Sequence, residues 1–332
     1  QVAHGVSRVR QRLERLHAGA VYVLEISSYQ LDLVETLRCD VAVMLNISSD
    51  HLTRHGGMEG YVQAKRRIFR NQGPGDVAVI GVDDLRSQVM CTQLSAEGGR
   101  KVIPASSEYG LGRGVSVLDG WLCDSLSSRS GEPVDLSGAR ALPGRHNHQN
   151  IAAAYAACRA LDIDARDICA AILTFPGLPH RLEEVGEIDG VRFINDSKAT
   201  NAQASEQALR AYPNAYWILG GRPKEEGIDA LEPWFGGVRK AYLIGEAAES
   251  FARTLAGKAA FDLSRTLETA VERALADARA AGERNPVVLF SPACASFDQF
   301  RDFEQRGDAF RNRVQALARQ SALQASVMKA SA

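Results

Sequence analysis

Short apolar runs rich in β-branched residues recur along this chain with helix-patterned stretches between them, and that alternation restricts the possible folds more than any other feature. VYVLEIS from Val21, VAVMLNIS from Val41 and VAVIGVDD from Val77 read as strands, with residues 59–70 helical between the second and third. Neighbouring parallel strands need a long crossover, usually a helix, so the alternation predicts an α/β fold with a parallel sheet. From Ser106 to Pro143 the texture turns to Gly and Ser with short strand-like pieces, which reads as an edge meander. Helices are expected over residues 147–161 and 163–173.

In TFPGLPHRLE, two prolines and a glycine within four residues end this region, which predicts domains at 1–177 and 178–320. Beyond it, strands at Arg192, Tyr216, Lys240 and Val287 alternate with helices, and an amphipathic helix runs from Asp298 to about Arg319. That is a second, doubly wound domain. The small residues of 321–332 predict a frayed, flexible tail.

Composition narrows the function classes. Lys plus Arg (39) nearly balance Asp plus Glu (40), so no field draws nucleic acid or a membrane surface, and small molecules are the expected partners. No apolar run approaches a membrane span. Six cysteines with no CxxC pair argue against zinc and against a disulfide framework, which fits a reduced cytoplasm.

Ligands of open α/β sheets bind beyond the carboxyl ends of the strands. Three second-domain strands end there in polar or small-residue loops: RFI into Asn195, Asp196, Ser197, Lys198 and Thr200; AYWILGG into Arg222, Pro223 and Lys224; PVVLFSP into Ala293 to Phe297. Two lysines in such loops call for an anionic ligand. Ser296 and Gln299 fit a capping box for a helix beginning near Asp298, and a helix N-terminus can also seat a carboxylate. Cys294 reads as a buried thiol rather than a nucleophile.

In the first domain, Glu25 lies in a strand-like run beside Ser27 and Ser28, and Asp50 and His51 end the next strand. A carboxylate and an imidazole there could hold Mg²⁺, which takes few protein ligands; Asp50 as a helix cap and His51 as a surface group is an equal alternative. Lys65, beside two arginines in YVQAKRRIF, reads by default as a solvated helix face.

Taken in order, VYVLEISSYQLD, LNISSDHLTRHG, YVQAKRRIF, PGRHNHQN, GLPHRLE, NDSKATN, LGGRPK and SPACASFDQFRDFEQRG resemble the Mur ligases over nearly the whole chain, most closely the members that add D-glutamate. The resemblance implies a partial central ATPase domain followed by a Rossmann-like C-terminal domain. It implies an ATP-dependent carbon–nitrogen ligase of peptidoglycan synthesis, which joins D-glutamate to UDP-N-acetylmuramoyl-L-alanine through an acyl phosphate, with two Mg²⁺ ions, in the cytoplasm and as a monomer.

Carried over by residue, it assigns Glu25 and His51 to magnesium and Ser27 to the nucleotide-sugar. Lys65 matches a lysine that is carbamylated and helps hold the second ion, which reverses the default reading. Asn147, Asn150, Arg181 and Asp196 match ATP contacts, and Lys198 lies in the same closing loop. Thr200, Lys224, Ser296, Phe297 and Phe303 match the D-glutamate pocket. No GxxGK[ST] run accompanies these motifs. The phosphate cradle and the uridine-binding domain of the family are unmatched, so the 332 residues by themselves are expected not to catalyse ligation. The alternatives are another Mur-type or folylpolyglutamate-type ligase, or a non-catalytic amino-acid-binding remnant.

Overall fold

The computed structural model describes residues 19–48, 52–127, 131–225 and 227–330. Residues 1–18, Asp50 and His51 lie outside the described residues. The chain divides into two compact units, one of residues 1–138 and 146–173 and the other of 139–145 and 174–332.

In the first unit, α1 (Ser28–Asp32) precedes β1 (Val41–Met44), α2 (Leu52–His55), α3 (Met58–Arg66) with a 3₁₀ turn Arg67–Phe69, β2 (Val77–Gly81) and α4 (Leu85–Glu97). Then follow β3 (Lys101–Ser106), β4 (Val115–Leu118), β5 (Trp121–Asp124), β6 (Val134–Asp135), α5 (Arg145–Ala160) and α6 (Ala165–Leu173). The sheet order is β1-β2-β3-β4-β5-β6, parallel from β1 to β4 and antiparallel at its meander edge. VAVIG of β2 is buried at every position, as a strand covered on both faces must be. Ala78, Ile80, Phe69, Met90 and Leu94 form the core beside it.

The run from Val21 is not the strand its composition predicts: only Leu24 makes an isolated bridge, and Val21 and Val23 are 65% and 62% exposed. β-branched residues favour a pleated, half-buried surface, and these two have none to cover. The chain instead turns at SSYQ, a capping box. Ser27 Oγ accepts from Gln30 N at 3.3 Å while Ser27 N donates to Gln30 Oε1 at 2.8 Å, which starts α1.

The second unit runs β7 (Glu183–Ile188), β8 (Val191–Asn195), α7 (Ala202–Ala211), β9 (Ala215–Gly220), α8 (Glu232–Phe235), β10 (Val238–Ile244), α9 (Ala248–Leu255), β11 (Phe261–Arg265), α10 (Leu267–Ala281), β12 (Val287–Phe290) and α11 (Phe303–Ala330). Its sheet order is β11-β10-β9-β12-β8-β7, parallel except for β7. Along β9, Trp217 and Leu219 enter one core and Tyr216 and Ile218 the other. Period-two alternation between two apolar layers is why AYWILG looks uniformly apolar.

Two strands escape the sequence pattern. β7 carries Glu183, Glu184 and Glu187 because it is an edge strand, where charge discourages further pairing; it reaches β8 through Asp189-Gly190, both at positive φ. β11 is the opposite edge.

The last helix also corrects an expectation. It starts at Phe303 rather than near Asp298 and runs to Ala330 rather than to about Arg319. The Ser296–Gln299 box does not cap it: Gln299 N and Phe300 N donate to the Ser296 carbonyl at 3.2 and 2.9 Å in a separate turn. Asp302 is the cap, with Gln305 N donating to its Oδ1 at 2.7 Å. A carboxylate complements a helix N-terminus better than a hydroxyl does.

Candidate functional site

Loops leaving the carboxyl ends of β8, β9 and β12 are stitched to one another by backbone bonds: Asp196 N to Phe290 O at 2.7 Å, Gly220 N to Pro292 O and Arg222 N to Ala295 O, both at 2.9 Å. Gly221 permits the last contact, since a Cβ there would stand 2.4 Å from the Ala295 carbonyl oxygen and its φ is +136°. The crevice wall is therefore continuous across three strands.

Behind it lies a buried polar layer. Ser291 Oγ donates to Asp196 Oδ2 at 2.8 Å, Leu182 N donates to Asp196 Oδ1 at 3.3 Å, and Trp217 Nε1 donates to Ser291 O at 2.8 Å. Burial pushes the Asp196 carboxyl up to about 7, against the opposing pull of the Ser291 hydroxyl, the Leu182 amide and the Arg181 charge. Asn195 Nδ2 lies 3.1 Å from both His180 Nδ1 and the Gly307 carbonyl. Gly307 is required there, because a Cβ would fall 2.1 Å from His180 Nδ1.

Arg306 was not among the expected residues and is the keystone of the layer. At 1% exposure it donates through Nε to Ser197 Oγ at 3.1 Å, through Nη2 to Ser197 O at 2.8 Å and through Nη1 to Cys294 O at 3.1 Å. It thereby joins α11 to the β8 and β12 loops. Burial lowers its pKa to about 10, still high enough to keep the charge at neutral pH. Its only sequence signal is a charged residue within an otherwise glycine-permitted turn of FEQRG; helical periodicity does not announce a buried arginine.

Over this layer the predicted residues divide by exposure. Ser296 is buried, Thr200 and Phe303 are half-buried, and Lys198, Lys224, Arg181 and Phe297 are exposed, Phe297 at 63%. Lys198 Nζ sits 4.3 Å from the centroid of the Phe303 ring, a cation–π contact that holds the ammonium over the loop. Lys224 is near enough to act on the Cys294 thiol, which burial nevertheless pushes up to about 12. Cys294 is thus a poor nucleophile, as expected. Ala293, His180 and Leu182 have φ of 55°, 63° and 46° without being glycine, strain that persists only where the surroundings fix it.

In the first unit, Glu25 and Ser27 are exposed on the approach to α1, and Lys65 on α3 is half-buried with Nζ 5.2 Å from the Tyr61 ring centroid. Asn150 Nδ2 donates to Asn147 Oδ1 at 3.3 Å within α5. No group of three His, Cys, Asp or Glu is poised for a metal among the described residues. Clefts of about 290 and 420 Å³ in this unit lie along α3 and α4, the smaller with four arginines in its lining, and include none of the expected residues.

Two family models match this chain: the Mur ligase middle domain over residues 7–158 and the Mur ligase, glutamate ligase domain over residues 180–294. A UDP-N-acetylmuramoylalanine--D-glutamate ligase of Caulobacter vibrioides is 59% identical over 305 residues, which is 92% of this chain and 64% of that protein. The chain belongs to the Mur ligase family. It spans somewhat less than two thirds of that relative's length.

Solved Mur ligases share the fold at low identity. MurF from Acinetobacter baumannii aligns with a TM-score of 0.64 at 18% identity, covering 94% of this chain and 70% of that one. MurF from Thermotoga maritima, solved in complex with ADP, aligns with a TM-score of 0.59 at 20% identity over 90% of this chain and 68% of that one. Among the described residues no helix is long and apolar enough to cross a membrane.

Proposed function

We propose that this Mur ligase chain contributes the D-glutamate site and part of the ATP site of an ATP-dependent amide ligase, which adds D-glutamate to UDP-N-acetylmuramoyl-L-alanine in peptidoglycan synthesis. The observation that carries the reading is the continuous wall at the ends of β8, β9 and β12, where Lys198 and Lys224 rise over a buried layer locked by Arg306. The two carboxylates of D-glutamate need cations and N–H or O–H donors held in place beforehand. Lys224 and the buried Ser296 suit one carboxylate; Thr200 offers a hydroxyl, and Phe297 and Phe303 offer apolar sides. An orienting wall places the amino group for attack on an acyl phosphate.

Asn147, Asn150, Arg181 and Asp196 are assigned to ATP, and Ser27 to the nucleotide-sugar. For Mg²⁺, the exposed Glu25 carboxylate is a hard oxygen donor, and that ion needs only one or two protein carboxylates beside water and phosphate oxygens. The donor chemistry therefore fits, with His51 and a carbamylated Lys65 as the further assigned ligands of two ions. Bound there, magnesium would neutralise charge on the transferring phosphoryl group. The same reading has the ligase act in the cytoplasm as a monomer.

Calorimetric titration of the chain with D-glutamate, L-glutamate and a diamino acid tests the assignment. Selective binding of D-glutamate is expected. A preference for L-glutamate would replace the reading with the folylpolyglutamate-type alternative, and binding without phosphate release in any fuller form of the protein would favour the non-catalytic one.

A further inference from the structure

His55, at the end of α2, lies outside every role assigned above, yet its imidazole is enclosed between the Glu25 and Lys65 segments, with its side chain 2% exposed. Nε2 is 3.0 Å from Ser28 Oγ and Nδ1 is 3.2 Å from Asp32 Oδ2. The ring stands edge-on to Tyr29, centroids 5.7 Å apart, and tilted against Tyr61 at 5.5 Å. Tyr61 in turn underlies Lys65 Nζ at 5.2 Å.

Serine, histidine and aspartate at hydrogen-bond distances invite a hydrolytic reading, which the geometry refuses. Ser28 is 4% exposed, so an incoming carbonyl has no route to its Oγ. Ser28 and Asp32 are also one turn apart on the same helix, so the imidazole bridges two points of α1 as a clamp does. The clamp joins three elements. It grips α1, which begins directly after Glu25 and Ser27, and through Tyr61 it presses on α3, which carries Lys65.

We propose that His55 is a positioning residue that fixes the spacing of the Glu25–Ser27 segment from Lys65, and thereby the fraction of Lys65 that carries CO₂. The proposal rests on the reading of Lys65 as a carbamylated lysine. In that reaction the neutral amine adds its lone pair to the carbon of CO₂, a C–N bond forms, one C=O π pair moves onto oxygen, and the surplus nitrogen proton passes to solvent. The carbamate would persist where its oxygens help hold the second ion, next to the one assigned to Glu25, so the spacing of α1 from α3 bears on its occupancy; groups that orient a ligand from behind change affinity by about 10- to 100-fold when removed.

The experiment is ¹³C NMR of the full chain in ¹³C-bicarbonate with Mg²⁺, with the Lys65 carbamate resonance assigned by its loss in Lys65→Arg. His55→Phe keeps a ring between Tyr29 and Tyr61 and removes both polar links; its occupancy should fall about ten-fold at the same bicarbonate concentration. Arg38→Ala is the control. It breaks the Arg38–Asp76 pair at 2.8 Å elsewhere in the unit and should leave the resonance unchanged. Equal occupancy in wild type and His55→Phe overturns the clamp while leaving the Lys65 reading intact. Absence of the resonance in wild type overturns the Lys65 reading and the clamp with it. Should His55→Phe not fold, Ser28→Ala, which cuts one link, decides by the same signal: a reduced occupancy supports the clamp and an unchanged one removes it.

Discussion

The strand-end crevice of the second unit and the Glu25–Lys65 region of the first both carry candidate residues, but they hold them by different means. In the crevice each exposed lysine stands over groups that are already bonded beneath it: Asp196 to Ser291, Ser197 to Arg306, Arg222 to Ala295. In the first unit the candidates sit on exposed or half-exposed segments, tied by one capping box and one imidazole. The difference teaches where preorganisation resides. Under the proposed assignment, a small zwitterion needs a rigid wall to orient it, whereas a metal–phosphate site can leave its geometry to be completed by the ion and the substrate.

The sharpest way to break this contrast is to remove Arg306. Arg306→Ala leaves the Ser197 and Cys294 carbonyls without their donor and opens a cavity under the wall, a combined cost of about 4 kcal/mol. Denaturant unfolding should show that loss in the second unit, with D-glutamate binding abolished. Unchanged stability would mean that the wall does not depend on the buried layer.

Next in size is Asp196, where the effect depends on pH. The carboxyl titrates near 3.8 in the unfolded chain and at about 7 in the fold, so unfolding releases a proton between those values. Stability from this group is fully present below pH ~4 and is lost as pH rises through ~7. A shift of this size caps the loss at roughly 4 kcal/mol. Asp196→Asn keeps an acceptor for Leu182 N and a partner for Ser291, so it should raise stability by about 2 kcal/mol at pH 8 and flatten the profile. Unfolding at pH 5, 6.5 and 8 measures it; a wild-type profile that rises across this range would reverse the sign.

Third is Lys224→Ala. Loss of a charge-assisted bond of roughly 1.5 kcal/mol should weaken D-glutamate binding about ten-fold, with the unfolding midpoint almost unchanged because Lys224 is exposed. Calorimetry of the two proteins decides this. Equal affinity would take Lys224 out of the pocket.

How much of this was legible follows the same division. β9 and β12 are legible because strands covered on both faces are apolar throughout, β8 because it is apolar but for Arg192 and Asn195, and the loops after them because polar groups crowd a strand end. β7 was hidden by its three glutamates, which suit an edge and contradict a strand pattern. The Val21 run misled in the opposite direction, since β propensity registers side-chain shape and not the presence of a surface to cover. S-x-x-Q at Ser296 has the local spacing of a capping box, yet Asp302 caps the helix; the same pattern at Ser27 does form one. Arg306, His180 and Ser291 are set by contacts with residues far away in sequence, and no local rule encodes them.

The smallest expected effect tests the surface of the wall rather than its foundation. Lys198 Nζ stands 4.3 Å from the Phe303 ring centroid, and Phe303 also meets His180 edge-on at 6.3 Å between centroids. A cation over a ring at a partly exposed site contributes about 0.5 to 1 kcal/mol. Phe303→Leu keeps an apolar side chain at the first position of α11 and leaves the Asp302 cap in place, so stability should fall by only about 0.5 kcal/mol. The larger consequence is for Lys198, whose ammonium loses the surface that holds it over the loop. D-glutamate affinity should then fall by about two- to five-fold, the same energy expressed in binding. Lys198→Ala in the Phe303→Leu background should add less than it does in wild type, because the two side chains act through one contact. Fully additive losses in that double-mutant cycle would show that Phe303 and Lys198 serve the pocket separately.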